Sequence, residues 1–135
     1  MTSYRERARL LRLMAHPMRL EILTIVRRSD ECVCHLSAAL KKPQPYVSQQ
    51  LAILRNEGLI SDHKEGTNVF YGLASGRTAD QVAAILDAMV GNGLTREGGG
   101  HQNVLGCYCP KCEPQGTCSS PGGAAQVLAQ AQGRG

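Results

Sequence analysis

Pro17, Pro43, Gly58 and Gly66 cut the stretch up to Val90 into short segments, which restricts the chain to small elements packed around one core. Residues 5 to 15 place Ala8, Leu11 and Ala15 on one stripe, with Leu10 and Met14 beside it, and the pattern closes at His16 and Pro17. Pro17 opens a second helix in which Leu20, Ile22, Leu23, Ile25 and Val26 face inward. Arg27 and Arg28 occupy its last turn, where positive charge suits the helix dipole. Ser29, Asp30 and Glu31 are a break. A third helix, Val33 to Leu40, carries Leu36 and Leu40 four apart and stops at Lys41, Lys42 and Pro43. A fourth, from Gln44 or Tyr46 to Glu57, buries Val47, Leu51 and Leu54, and Gly58 supplies the left-handed stop.

Ile60 to Lys64 and Asn68 to Leu73 then read as two short strands joined at Glu65, Gly66 and Thr67, with Gly66 allowing the positive φ of a tight hairpin. A fifth helix, capped by Thr78, carries Val82, Ile85, Leu86, Met89 and Val90 on one face and ends at Gly91, Asn92 and Gly93. With four Tyr and Phe70 as the only aromatics, the core must be built from aliphatic side chains, so sheet is the minor element. The expected fold is mainly α with a small β-hairpin, a winged helix-turn-helix spanning residues 1–93. Residues 94–106 are expected as a Gly-rich linker, 107–118 as a cysteine cluster and 119–135 as a disordered tail with too little apolar surface to offset ordering entropy.

The net charge of +4 is mild, but Arg5, Arg7, Arg9, Arg12, Arg19, Arg27, Arg28, Lys41, Lys42 and Arg55 crowd the N-terminal part and suit an anionic partner. The start of the chain has no apolar signal region and no run of apolar residues long enough to span a bilayer, so a cytoplasmic protein without a membrane partner is expected. Six cysteines in a reducing compartment more often bind metal or sense redox change than form structural disulfides. No Ser-His-Asp set, buried carboxylate pair, phosphate-binding glycine loop or open His-rich zinc site is visible, so no enzyme and no catalytic residue are expected.

Two short helices joined by a tight turn, the second polar on its outer face and followed by a hairpin, suit double-stranded DNA. Gln44, Tyr46, Ser48, Gln49 and Gln50 open the fourth helix, where hydroxyls and amides meet base edges and phosphates in a major groove. Gln49 and Gln50 are the expected base readers. Arg55 and Lys64, with Lys41 and Lys42, fit phosphate contacts, and Asn68 on the wing fits the neighbouring minor groove.

The sequences AHPMRLEIL at 15–23, CVC at 32–34, QPYVSQQLAILR at 44–55 and KEGTNVFY at 64–71 resemble, in order, the second-helix start, metal-binding box, recognition helix and wing of the ArsR/SmtB metalloregulatory repressors. The resemblance spans residues 5 to 90. It implies a winged-helix homodimer paired through the first and fifth helices, bound to a palindromic operator and released by an inducer. In the arsenic-sensing members a third thiol follows the Cys-x-Cys pair, and here that position is Ser37. Zinc-sensing relatives use His and carboxylate ligands on the fifth helix. Residues 78 to 91 contain Asp80 and Asp87 but no His, so that helix is expected to serve dimer packing alone.

Cys32 and Cys34 fall about 200° apart on a regular helix, so they share an ion only if the first turn unwinds or the site lies ahead of the helix. The missing ligand is sought among Cys107, Cys109, Cys112 and Cys118, with glycines 98–100 giving reach to the chain's own third helix or across a dimer. Three thiolates suit As(III) or Sb(III), and four suit Cd(II), Pb(II) or Zn(II). The four C-terminal cysteines also fit a self-contained zinc knot, an iron–sulfur cluster, or a redox or persulfide switch. His35 follows Cys34 and offers a further ligand, but a lone His at a helix start is more often a solvated or capping side chain, which is the expectation here. A metal-binding interaction protein without operator binding is the reading from another class.

Overall fold

The structure, a computed structural model, describes residues 3–90 together with Cys107, Lys111 and Cys112. In chain order the elements are α1 (Tyr4–Met14), α2 (Pro17–Arg28), β1 (Glu31–Cys32), α3 (Val33–Leu40), α4 (Gln44–Asn56), β2 (Ile60–Glu65), β3 (Asn68–Leu73) and α5 (Arg77–Val90). The ends of the helices follow from local chemistry. Ser3 Oγ accepts the Glu6 N–H at 3.2 Å and the Glu6 carboxylate accepts the Ser3 N–H at 2.7 Å, a reciprocal cap that opens α1. His16 Nδ1 accepts the Met18 N–H at 3.2 Å ahead of Pro17, whose missing N–H costs nothing at the first helical position. Lys41 closes α3 in the left-handed region at φ 56°. Gly58, at φ 81°, closes α4 as its sequence position predicts.

Ile22, Leu23, Leu36, Val47, Leu51, Leu54, Val82 and Leu86 are fully enclosed and join all five helices' inner faces except that of α1, which contributes Met14. The α1 stripe is a correction. Ala8, Leu11 and Ala15 face outward, with Leu11 53% exposed, while Leu10 and Leu13 pack on the core beside Met14. The larger leucines outcompete two alanines for burial, because stabilisation scales with apolar area. Arg27 of α2 grips Asp87 of α5 with both guanidinium nitrogens, one of them at 2.9 Å, and fixes the two helices together.

The sheet is larger than the expected hairpin. It has three antiparallel strands in the order β1-β3-β2, with Glu31 opposite Tyr71 and Cys32 opposite Phe70. The wing itself pairs Glu65 with Asn68 around Gly66 and Thr67, and Gly66 at φ 64° takes the position that demands glycine. Two further boundaries differ from expectation. β2 runs one residue longer, to Glu65, and α5 starts at Arg77, so Thr78 lies inside the helix and the Gly76 carbonyl accepts the Asp80 N–H at 3.0 Å instead. The stop expected at 91–93, the linker at 94–106 and the tail at 119–135 lie outside the described residues. Among the described residues, no helix is long and apolar enough to cross a membrane.

Candidate functional site

Cys32 ends β1 with extended backbone (φ −83°, ψ 164°) and serves as the N-cap of α3, while Cys34 is the second residue of that helix. Leaving the strand before entering the helix turns both side chains to the same side, and their Sγ atoms stand 3.1 Å apart. Of the two geometries open to the pair, the structure takes the one ahead of the helix, so no helical turn has to unwind. Cys107, 5% exposed, completes a group of three: its Sγ lies 3.6 Å from that of Cys34, and it packs with Cys32 against Phe70. The three sulfur atoms fall within 4.8 Å of one another. A tetrahedral ion with Zn–S bonds of about 2.3 Å holds its sulfurs roughly 3.8 Å apart, so the grouping, with Cys34 reduced, is close to the spacing of a thiolate-bound soft ion. Cys34 is also disulfide-bonded, whereas Cys32 is a free thiol. Ser37, at the position of the missing third thiol, is not part of the group; its hydroxyl donates to the Lys42 carbonyl and secures the end of α3.

A second grouping adjoins the first. His35 is 2% exposed, a correction to the solvated side chain expected from sequence. Its Nδ1 is 3.2 Å from Cys112 Sγ and 3.4 Å from Glu31 Oε2, and Glu31 is itself only 1% exposed. His35, Cys107 and Cys112 also bring their ligand atoms within 4.8 Å of one another. The C-terminal segment is secured next to Cys112 by Lys111, whose ammonium donates to Ser29 Oγ at 2.9 Å and to the Asp30 carbonyl, and sits 5.4 Å from the Phe70 ring centre. Cys107 and Cys112 thus address α3 of their own chain. Cys109 and Cys118 lie outside the described residues. Glu31 carried no sequence signal of this role, and His35 only its place next to Cys34, because its contact with Cys112 spans 77 positions.

The eight residues expected at a DNA interface divide into two groups. Ser48 and Tyr46 are half-buried near the start of α4, Gln49 is exposed, and Arg55 and Lys64 are exposed on α4 and β2. Arg55 donates to Asp62 Oδ2 at 3.2 Å, which ties the end of α4 to the wing. Gln44, Gln50 and Asn68 are instead buried, at 6%, 8% and 8% exposure. Gln50 Oε1 accepts from Arg19 Nε at 2.9 Å, and the same guanidinium donates to the Leu13 carbonyl at 3.3 Å, so this pair links α4 and α2 to the end of α1. A helical wheel held the warning. At about 100° per residue Gln44 and Gln50 flank the arc of Val47, Leu51 and Leu54, whereas Gln49 falls about 200° from Val47. On the wing, burial and the neighbouring Asp62 carboxylate push the Tyr71 hydroxyl up from its usual 10.0, while Arg55 opposes them.

Residues 16–62 match the family model described as bacterial regulatory protein, arsR family. An uncharacterized HTH-type transcriptional regulator of Methanocaldococcus jannaschii is 34% identical over 86 residues, which cover 63% of this chain and 97% of that protein. The HTH-type transcriptional repressor SmtB of Mycobacterium tuberculosis is 41% identical over 80 residues, 59% of this chain and 57% of the relative. The arsenical resistance operon repressor of Escherichia coli is 41% identical over 66 residues, 48% of this chain and 56% of the relative. The chain therefore spans a little over half the length of these last two relatives. Among solved structures, the transcriptional repressor BigR from Xylella fastidiosa superposes with a TM-score of 0.60 at 29% identity, covering 64% of this chain and 86% of that one. These relatives are regulators and not enzymes, and with the winged helix-turn-helix fold they place the protein: the chain belongs to the ArsR/SmtB family of transcriptional regulators.

Proposed function

We propose that the protein is a cytoplasmic, homodimeric repressor that holds double-stranded operator DNA and lets go when Cys32, Cys34 and Cys107 bind a soft metal or metalloid. As(III) or Sb(III) is the preferred inducer, ahead of Cd(II) and Pb(II), because three thiolates match a pyramidal lone-pair ion. The observation that carries this reading is the convergence of three sulfur atoms, 3.1 and 3.6 Å apart along the chain of contacts, at the junction of β1 and α3. That junction touches both DNA-facing elements. Cys32 pairs with Phe70 of the wing strand, and α3 precedes α4 across a three-residue turn, so an ion that cross-links these thiolates acts on wing and reading helix together. Allosteric control requires the inducer to favour one state over the other, and typical couplings of about 1–3 kcal/mol correspond to roughly 5- to 150-fold in operator affinity.

In this reading Gln49, Ser48 and Tyr46 face the major groove, and Arg55, Lys64, Lys41 and Lys42 contact phosphates. Gln44, Gln50 and Asn68 act from beneath, Gln44 and Asn68 at the starts of α4 and β3 and Gln50 through Arg19 of α2. Leu11 on α1 and Met89 on α5, 53% and 60% exposed, supply apolar surface for pairing two copies through these helices.

The disulfide at Cys34 favours a second reading, in which oxidation of the thiol releases the operator without any ion. Ligation by Cys34 needs the reduced thiolate, so the two triggers are separable. Mobility shift of the protein's own promoter fragment, titrated in parallel with As(III), Cd(II), Zn(II) and oxidant, tests both. Release of reduced protein by As(III) supports the metalloid reading; release by oxidant alone, in chelated protein, replaces it with the redox one.

A further inference from the structure

We infer that His35, Cys107 and Cys112 form a second ligand set, suited to a borderline divalent ion such as Zn(II), and that it competes with the three-thiol set because both need Cys107. The competition rests on the proposed use of Cys107 for the metalloid, whereas the zinc site stands on its own geometry. His35 Nδ1 and Cys112 Sγ are 3.2 Å apart, near the separation of two neighbouring ligands on one tetrahedral ion, and Cys107 Sγ is within 4.8 Å of both. The donor types discriminate. One imidazole and two thiolates are a common zinc set, while As(III) gains nothing from the imidazole when three thiols stand beside it.

Glu31, 1% exposed, places Oε2 3.4 Å from the His35 nitrogen, so a carboxylate stands against the imidazole of this set. The set also omits Cys34, so it keeps all its ligands while Cys34 is tied up in a disulfide. Zinc held there ties Cys107 and Cys112 to α3 through His35, alongside the Lys111 contacts to Ser29 and Asp30.

The test uses the full chain, reduced and stripped of metal, with Co(II) and Zn(II) as probes. Co(II) is expected to bind with the absorption of a tetrahedral thiolate site and to be displaced by Zn(II). Loss of a ligand should exceed the roughly 10- to 100-fold affinity loss seen when only a residue supporting a ligand is removed, so His35→Ala and Cys112→Ser should each weaken Zn(II) by more than 100-fold. Cys34→Ser should leave Zn(II) affinity unchanged. One equivalent of Zn(II) should suppress As(III) uptake by the native chain but not by Cys112→Ser, which lies at the half-exposed end of the set and keeps the three-thiol group whole. Unchanged Zn(II) affinity in both His35→Ala and Cys112→Ser overturns the site. Simultaneous retention of Zn(II) and As(III) overturns the competition. Neither readout involves DNA, so a failure of As(III) to release the operator leaves this inference standing.

Discussion

Two adjacent glutamines on α4 should behave in opposite ways when each is replaced by alanine. Gln50 is 8% exposed and accepts from Arg19 Nε at 2.9 Å, so Gln50→Ala removes a hydrogen bond to a charged group and leaves part of a half-buried guanidinium without its partner. Such bonds contribute about 1.5–3 kcal/mol, and because Arg19 keeps its bond to the Leu13 carbonyl the low end applies, about 1.5 kcal/mol. For a domain of this size that lowers the thermal midpoint by roughly 6–12 °C. Gln49, exposed on the face opposite Val47, should leave the midpoint unmoved when changed to alanine. Its loss should instead flatten discrimination at one operator base pair by about 1–3 kcal/mol, roughly 5- to 150-fold. Thermal or urea unfolding of each variant, paired with binding to a panel of singly substituted operators, reads both effects. A Gln50→Ala protein with native stability and relaxed base preference would refute the division.

Cys32→Ser and Cys34→Ser should each keep operator affinity while abolishing release by As(III), since both thiols lie away from the outer face of α4; mobility shift with and without the ion checks this. Truncation at residue 105 should weaken the As(III) response through loss of Cys107, read as a rise in the ion concentration needed for half-release. The Arg27–Asp87 pair is bidentate but Asp87 is 40% exposed, so solvent screening limits its coupling energy to about 0.5–1 kcal/mol in a double-mutant cycle with Arg27→Ala and Asp87→Ala. Tyr71 has its pKa raised in the folded state, so its contribution to stability is complete below pH 10 and is lost as pH rises from there through the folded value. Tyr71→Phe should therefore flatten the alkaline fall in denaturant midpoint above pH 10.

Apolar periodicity located all five helices, and the glycine turn at Gly66 located the two wing strands, although β2 buries only Ile60. β1 escaped both. Two residues carry no period, and Glu31 and Cys32 become a strand only through Tyr71 and Phe70, far along the chain. The same non-local cause hid the site. The spacing of Cys32 and Cys34 pointed to a shared ligand, but the strand-to-helix bend that brings their sulfurs together depends on β1 pairing. The place of His35 after Cys34 allowed ligation, but its burial and its contact with Cys112 Sγ, 77 positions on, are not written in local spacing. Gln50 is a different case, since its angular position beside Leu54 and Val47 was readable and its polarity obscured it.

The central claim is that the sulfurs of Cys32, Cys34 and Cys107 act as one receptor whose occupation loosens the grip on DNA. Operator release by As(III) should be compared, at fixed salt, between the native chain under reducing conditions and the full-length triple variant Cys32→Ser, Cys34→Ser, Cys107→Ser. The account predicts that the variant binds the operator normally and stays bound at every As(III) concentration that frees the native protein. A variant that dissociates at the same ion concentration as the native chain contradicts it.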